Sequence, residues 1–162
     1  MAYFDPGSVI WELKSTEKFD AIREIVSRAR TFSEHTDLDS DAFAEKVVER
    51  ERLQSTGFGH GVAVAHGRTD QILSPRIALG VSRTGIDFDA VDGEPVHLIF
   101  IVANHPDQEV DYLHILSTLV GMVRNEMFRR EIITCDHESD VQRKLCNVFA
   151  NLLKRNRLRY AS

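Results

Sequence analysis

The apolar positions of this 162-residue chain change period twice, from helical to strand-like and back. Ser15 and Thr16 are good N-cap residues; after them Phe19, Ile22, Ile25, Val26 and Ala29 recur at helical spacing and predict a helix over roughly 16–33. Asp39-Ser40-Asp41 opens a second helix, in which Phe43, Ala44 and Val47 face inward as the chain approaches Arg50. Glycines 57, 59 and 61 end that helix and open a loop. Three strands follow, over 61–65, 76–82 and 96–103. The last reads Val-His-Leu-Ile-Phe-Ile-Val-Ala, the nearly continuous apolar run expected of a central strand covered on both faces. Asp92-Gly93 marks a turn, and Asp87, Phe88 and Val91 belong to a connecting hairpin or loop.

The second half returns to the helical period. Val110, Leu113, Leu116, Leu119, Val120 and Val123 predict a helix of about 109–125, and Phe128 with Ile132 a short one beyond it. Val141, Leu145, Val148, Phe149, Leu152 and Leu153 make a final helix ending in Lys154-Arg155-Asn156-Arg157-Leu158-Arg159. That basic end reads as a solvated terminus at the negative end of the helix dipole. No internal repeat, low-complexity tract or linker interrupts the pattern. Helices, then strands, then helices predict a single α/β domain over 1–162, with a mixed β-sheet flanked by helices.

Composition narrows the function classes. The apolar fraction of 43% and charged fraction of 28% are those of an ordinary soluble domain. Twenty basic against 25 acidic residues leave a net charge of -5, which argues against a general nucleic-acid binder. No apolar run reaches the ~18 to 20 residues that span a bilayer, so direct membrane insertion is not expected. The first residues lack the basic and apolar regions of a signal peptide, and a cytoplasmic location is expected. Cys135 and Cys146, eleven apart, form no metal-type pair and read as reduced thiols in the core.

The candidate chemistry lies between Arg50 and Arg68, where a charged helix end leads through Ser55-Thr56-Gly57 into a short apolar strand ending at His66-Gly67-Arg68. Neutral imidazole is nucleophilic at one ring nitrogen when the other is protonated and held, and its pKa leaves a usable neutral fraction near pH 7. A phosphoryl group taken up there needs holding by backbone amides, hydroxyls and an arginine fork. Amides of the glycine-rich loop, the hydroxyls of Ser55 and Thr56, and the arginine would supply this. Each residue also has a plain structural role open to it: a histidine that only packs, a Ser-Thr-Gly turn, an arginine that ends a helix. His60 with His66 suggests a metal, but no third ligand follows at a recognisable spacing, so no metal is expected. His60, His97, His105 and His137 read as surface histidines or as core histidines with satisfied hydrogen bonds.

A longer pattern runs through these residues. Arg50-Glu51, Ser55-Thr56-Gly57, Gly59, Gly61-Val62-Ala63-Val64 and His66-Gly67-Arg68 resemble the phosphorylation-site motif of the fructose/mannitol-type enzyme IIA domains of the bacterial phosphotransferase system, whose members include a nitrogen-regulatory branch. The resemblance continues through Ile86-Asp87-Phe88-Asp89-Ala90, Asp92-Gly93-Glu94-Pro95-Val96, Leu98-Ile99-Phe100, Leu113 and Ile115-Leu116-Ser117-Thr118-Leu119. It implies a mixed sheet with flanking helices and a phosphocarrier whose phosphorylated histidine is His66, steadied by Arg50. Ser55, Thr56, Gly67, Arg68 and Tyr112 would bind the phosphoryl group. No cofactor is implied beyond the covalent phosphoryl intermediate. The donor would be an HPr-like carrier protein, and the acceptor a IIB domain in sugar uptake or a regulatory target.

Two residues depart from the family pattern. Ala65 stands where the family has proline before the histidine, which restores a backbone N–H and frees φ. Tyr112 stands where many members have a second histidine, and His114, roughly 200° further round the helix, does not replace it. A second function class therefore stays open: a non-catalytic binding module on the same fold, docking on a transporter, kinase or transcription regulator. No IIB, IIC or HPr sequence is attached, which favours a stand-alone regulatory protein over a multidomain transporter.

Overall fold

In the computed structural model, which describes residues 3–160, five strands form one mixed sheet. They are β1 (Val9–Ile10), β2 (Gly57–Gly59), β3 (Val62–Arg68), β4 (Arg76–Ile86) and β5 (Val96–Asn104), in the spatial order β1-β4-β5-β3-β2. The apolar run of β5 lies at the centre as its composition predicts. It pairs antiparallel with β4 and parallel with β3.

Helices cover both faces, as the sequence predicts. Helices α1 (Lys18–Arg28), α2 (Arg30–Ser33) and α3 (Ser40–Leu53) lie on one side, packing Ile22, Ile25, Phe32, Phe43 and Val47 against Ala63, Ala65, Ile99 and Ile101. Helices α4 (Glu109–Val123), α5 (Glu126–Thr134) and α6 (Glu138–Tyr160) lie on the other, packing Ile115, Leu119, Ile132, Val141, Leu145 and Phe149 against Val62, Val64, Leu98, Phe100 and Val102. Strand alternation divides β3 between the layers: even residues face α4, odd residues face α3.

Several boundaries differ from the sequence reading. The helix predicted over 16–33 breaks at Ala29, whose ψ of 116° is extended; the amide of Arg30 donates to the carbonyl of Gly7 at 3.0 Å. A long-range contact therefore overrides a local helical pattern. Its N-cap is Glu17, which accepts from the amides of Phe19 and Asp20, and not Ser15 or Thr16. The glycine stretch contains strand β2 in a hairpin with β3. Strand β3 runs three residues past Ala65, because its ladder with β5 continues through His66↔Val102 to Arg68↔Asn104. Strand β4 likewise extends to Ile86, with an irregularity after Val81.

Candidate functional site

The site forms where β3 runs beyond its edge partner. Strand β2 pairs with β3 only at Gly57↔Ala63 and Gly59↔Val62, and one further bond runs from the Val64 amide to the Thr56 carbonyl at 3.2 Å. Two residues on, the amide of His66 points to the same side by strand alternation. Among the described residues, no backbone partner meets it there. An open depression along this edge is lined by His66, Gly67 and Arg68 of β3 and by Lys46 and Arg50 of α3.

Gly67 sets how closely α3 approaches. A Cβ at this position would lie 2.9 Å from Cε1 of Phe43 and 3.0 Å from Cγ2 of Val47, so α3 seats against β3 only because the side chain is absent. That close seating brings Arg50 and Lys46 beside His66. The Arg50 guanidinium donates from Nη1 to the carbonyl of Gln54 at 3.0 Å, closing the last turn of α3. Lys46 reaches the carbonyl of Arg68 at 3.5 Å.

On the other face, α4 supplies Tyr112 and Glu109. The Tyr112 hydroxyl lies 3.1 Å from Nδ1 of His66, and the two rings are 4.8 Å apart between centroids. Three residues earlier on α4, and two residues later on β3, Arg68 Nε lies 2.8 Å from Oε1 of Glu109. That contact is an ion pair without hydrogen-bond alignment, for Oε1 is buried with no hydrogen-bond donor among the described residues. Strand and helix are thus joined by two rungs, one neutral and one charged.

Burial, then the charges of Arg50 and Arg68, hold the His66 imidazole below its usual pKa of 6.5, with Glu109 opposing them. Burial likewise pushes the Tyr112 hydroxyl above its ordinary 10.0. At neutral pH both partners are uncharged, so their hydrogen bond can run either way. When Nδ1 carries the proton and donates to the tyrosine oxygen, Nε2 has a free lone pair.

The structure brings His66, Arg50, Gly67, Arg68 and Tyr112 together but uses Ser55 and Thr56 differently from the sequence expectation. The Ser55 hydroxyl donates to the Phe88 carbonyl and accepts from the Gly57 amide at 3.1 Å. The Thr56 hydroxyl donates to Oε2 of Glu51 at 2.7 Å, and its amide donates to the same carboxylate. Glu51 is fully buried and meets Lys18 Nζ at 3.6 Å. Both hydroxyls serve the scaffold. Gly61 lies five residues from His66 along an extended chain, or about 16 Å, so its amide is too distant to hold a group on that ring. The depression beside His66 is lined instead by Gly67 and by Lys46, Arg50 and Arg68.

Sequence reasoning missed Lys46 and Glu109. Lys46 sits one helical turn before Arg50, and that four-residue spacing was the available signal. Glu109 carried none, since its role depends on how α4 crosses β3. Among the other histidines, His97 meets the Ser82 carbonyl through Nδ1 at 2.8 Å, and His105 accepts the Asp107 amide at 3.0 Å. His60 is exposed at a positive φ of 60°, its amide held by Asp92. His114 lines a separate depression on α4 with Val110, Leu113 and Ser117. Among the described residues, no group of three or more His, Cys, Asp or Glu is placed to hold a metal ion.

Solved structures share this architecture. The nitrogen regulatory protein IIA-Ntr of Neisseria meningitidis superposes with a TM-score of 0.76 at 28% identity, covering 88% of this chain and 93% of that one. The Escherichia coli mannitol IIA, also solved in complex with phosphorylated IIB, shares the fold alone, with a TM-score of 0.70 at 16% identity over 92% of this chain and 97% of its own. A family model described as "Phosphoenolpyruvate-dependent sugar phosphotransferase system, EIIA 2" matches residues 2–148, and the chain belongs to that family.

Relatives span both branches of it. A fructose-specific EIIA component of Haloferax volcanii is 34% identical over 68% of this chain and 71% of its own length. The fructose-specific EIIABC component of Bacillus subtilis is 31% identical over 80% of this chain, which spans only 20% of that protein. No helix among the described residues is long and apolar enough to cross a membrane.

Proposed function

We propose that His66 is a phosphoryl carrier, taking the group from an HPr-like protein on Nε2 and relaying it to a IIB domain or displaying it to a regulatory target in the cytoplasm. The observation that carries this reading is the Tyr112 hydroxyl 3.1 Å from Nδ1 of His66, a residue that also lines a depression with Lys46, Arg50, Gly67 and Arg68. With the proton on Nδ1 and donated to Tyr112, the Nε2 lone pair attacks phosphorus. The bond from phosphorus to the donor nitrogen breaks, and its electron pair returns to that nitrogen. The His66 ring then carries a positive charge beside the phosphoryl dianion, and Tyr112 accepts its Nδ1–H. Arg50, Arg68 and Lys46 balance the arriving negative charge, and their positions need no rearrangement of the sheet.

The low pKa of His66 favours this chemistry, because the ring stays neutral and nucleophilic at pH 7. Tyr112 provides the hydrogen bond without the positive charge that a second histidine brings. Incubation with enzyme I, HPr and labelled phosphoenolpyruvate should place acid-labile label on the protein and none on His66→Ala. Arg50→Ala should slow labelling at least about tenfold while the protein stays folded. An unlabelled wild type, or undiminished label on His66→Ala, overturns the assignment.

The tyrosine at position 112 also supports a second reading, a binding module that docks on a transporter, kinase or transcription regulator without transferring phosphate. Recovery of the same target by wild type and His66→Ala, with no labelling of either, would favour it.

A further inference from the structure

We propose that Glu109 keeps the phosphoryl group on His66 transferable, acting as a positioning residue that withholds part of the Arg68 charge and repels the bound dianion; this rests on the phosphocarrier reading above. Arg68 and His66 lie two residues apart on the same face of β3, and Glu109 and Tyr112 three apart on the facing side of α4. The Arg68–Glu109 rung therefore stands directly beside the His66–Tyr112 rung, with Nε to Oε1 at 2.8 Å and Nδ1 to the hydroxyl at 3.1 Å. Both charged side chains are partly open to solvent, at 59% and 44%.

Three features make this an adjustable contact. The pair meets at 2.8 Å without hydrogen-bond alignment, so charge attraction and not a directed bond holds it. The approach recorded to Glu109 is through Nε, and the guanidinium has further N–H donors on its Nη edge. Glu109 also acts on His66 itself, opposing the two arginines. A phosphoryl group on Nε2 thus meets cations at Lys46, Arg50 and Arg68 and one carboxylate at Glu109. Cations alone would trap a dianion; the carboxylate offsets them.

Loss of the group to water reports this balance without a protein acceptor. A water oxygen bonds to phosphorus, the Nε2–P bond breaks, and its pair returns to Nε2. The products are dihydrogen phosphate and neutral imidazole, with the proton still on Nδ1.

The test charges wild type, Glu109→Gln and Glu109→Asp with phosphoramidate, a small donor that needs no carrier protein, and follows the phosphohistidine by 31P NMR after the donor is removed. Glu109→Gln should hold the group about fivefold longer than wild type, the scale of one partly exposed charge interaction. Glu109→Asp, which keeps the charge, should return the half-life toward the wild-type value. The difference should shrink at 1 M salt, where screening acts within about 3 Å. A half-life in Glu109→Gln equal to or shorter than that of wild type overturns the proposal, as does a difference insensitive to salt. Labelling of wild type but not of His66→Ala confirms that the phosphocarrier reading stands whichever way Glu109 falls.

Discussion

The two ends of β3 differ in what borders them. At its start, β2 covers the edge, Thr56 and Ser55 are bonded into the scaffold, and the buried Glu51 ties the Thr56 amide and hydroxyl to α3. At its finish no strand among the described residues covers the edge, and His66 stands among Lys46, Arg50, Arg68, Glu109 and Tyr112. One short strand thus changes from covered framework to an open, charged edge within four residues. The glycines and hydroxyls that suggest a phosphate cradle belong to the framework end. The His66 end is bordered by helical side chains that reach the strand from both faces.

This contrast can be broken at either end. The largest effect should come from Glu51→Ala, which leaves Lys18 without its carboxylate and the Thr56 amide and hydroxyl without an acceptor. Removing one partner of such a buried pair costs about 3 kcal/mol. Urea denaturation should show that loss, while the folded fraction keeps its phosphorylation rate; slowed labelling of the folded fraction would draw the framework end into the chemistry.

Gly67→Val should come next, destabilising by about 1–3 kcal/mol as the new side chain meets Phe43 and Val47. Here transfer should fall as well, because α3 carries Arg50 and Lys46 away from His66. Denaturation and labelling measured together distinguish this pattern from that of Glu51→Ala.

The smallest effect is on pH dependence. The His66 pKa lies below 6.5 in the folded state, so the unfolded chain takes up a proton first as pH falls. The contribution of neutral His66 to stability is complete above pH 6.5 and is lost as pH falls through 6.5 toward the folded-state pKa. Urea midpoints measured above and below 6.5 should diverge more for wild type than for His66→Gln, and an NMR titration of the ring should place its midpoint below 6.5.

The sequence made the long elements legible because their burial is strongly periodic or continuous. Strand β5 is the clearest case, with its apolar run buried on both faces. Strand β1 was invisible, since two residues have no period and Val9 and Ile10 gain their strand character from pairing with Leu79 and Gly80. The break at Ala29 was equally hidden, because it depends on Gly7, more than twenty residues earlier. At the candidate site, the family motif named His66, Arg50, Gly67 and Arg68 and aligned Tyr112 with a family histidine, and the structure brings these residues together. It also named Ser55 and Thr56, whose hydroxyls are bonded to the Phe88 carbonyl and to Glu51, because a motif does not say which hydroxyls already have partners. Lys46 was hinted at only by its four-residue spacing from Arg50, and Glu109 becomes visible only once α4 is laid against β3.

The uncovered edge of β3 has a consequence for how the protein behaves in a crowded solution. A bare strand edge invites the edge of another chain to pair with it, and natural sheets guard such edges with charge. Lys46, Arg50 and Arg68 cluster along this one. The cations proposed to receive a phosphoryl group are therefore also a barrier against strand-to-strand association, and neutralising them together would expose an adhesive edge as well as a silent site.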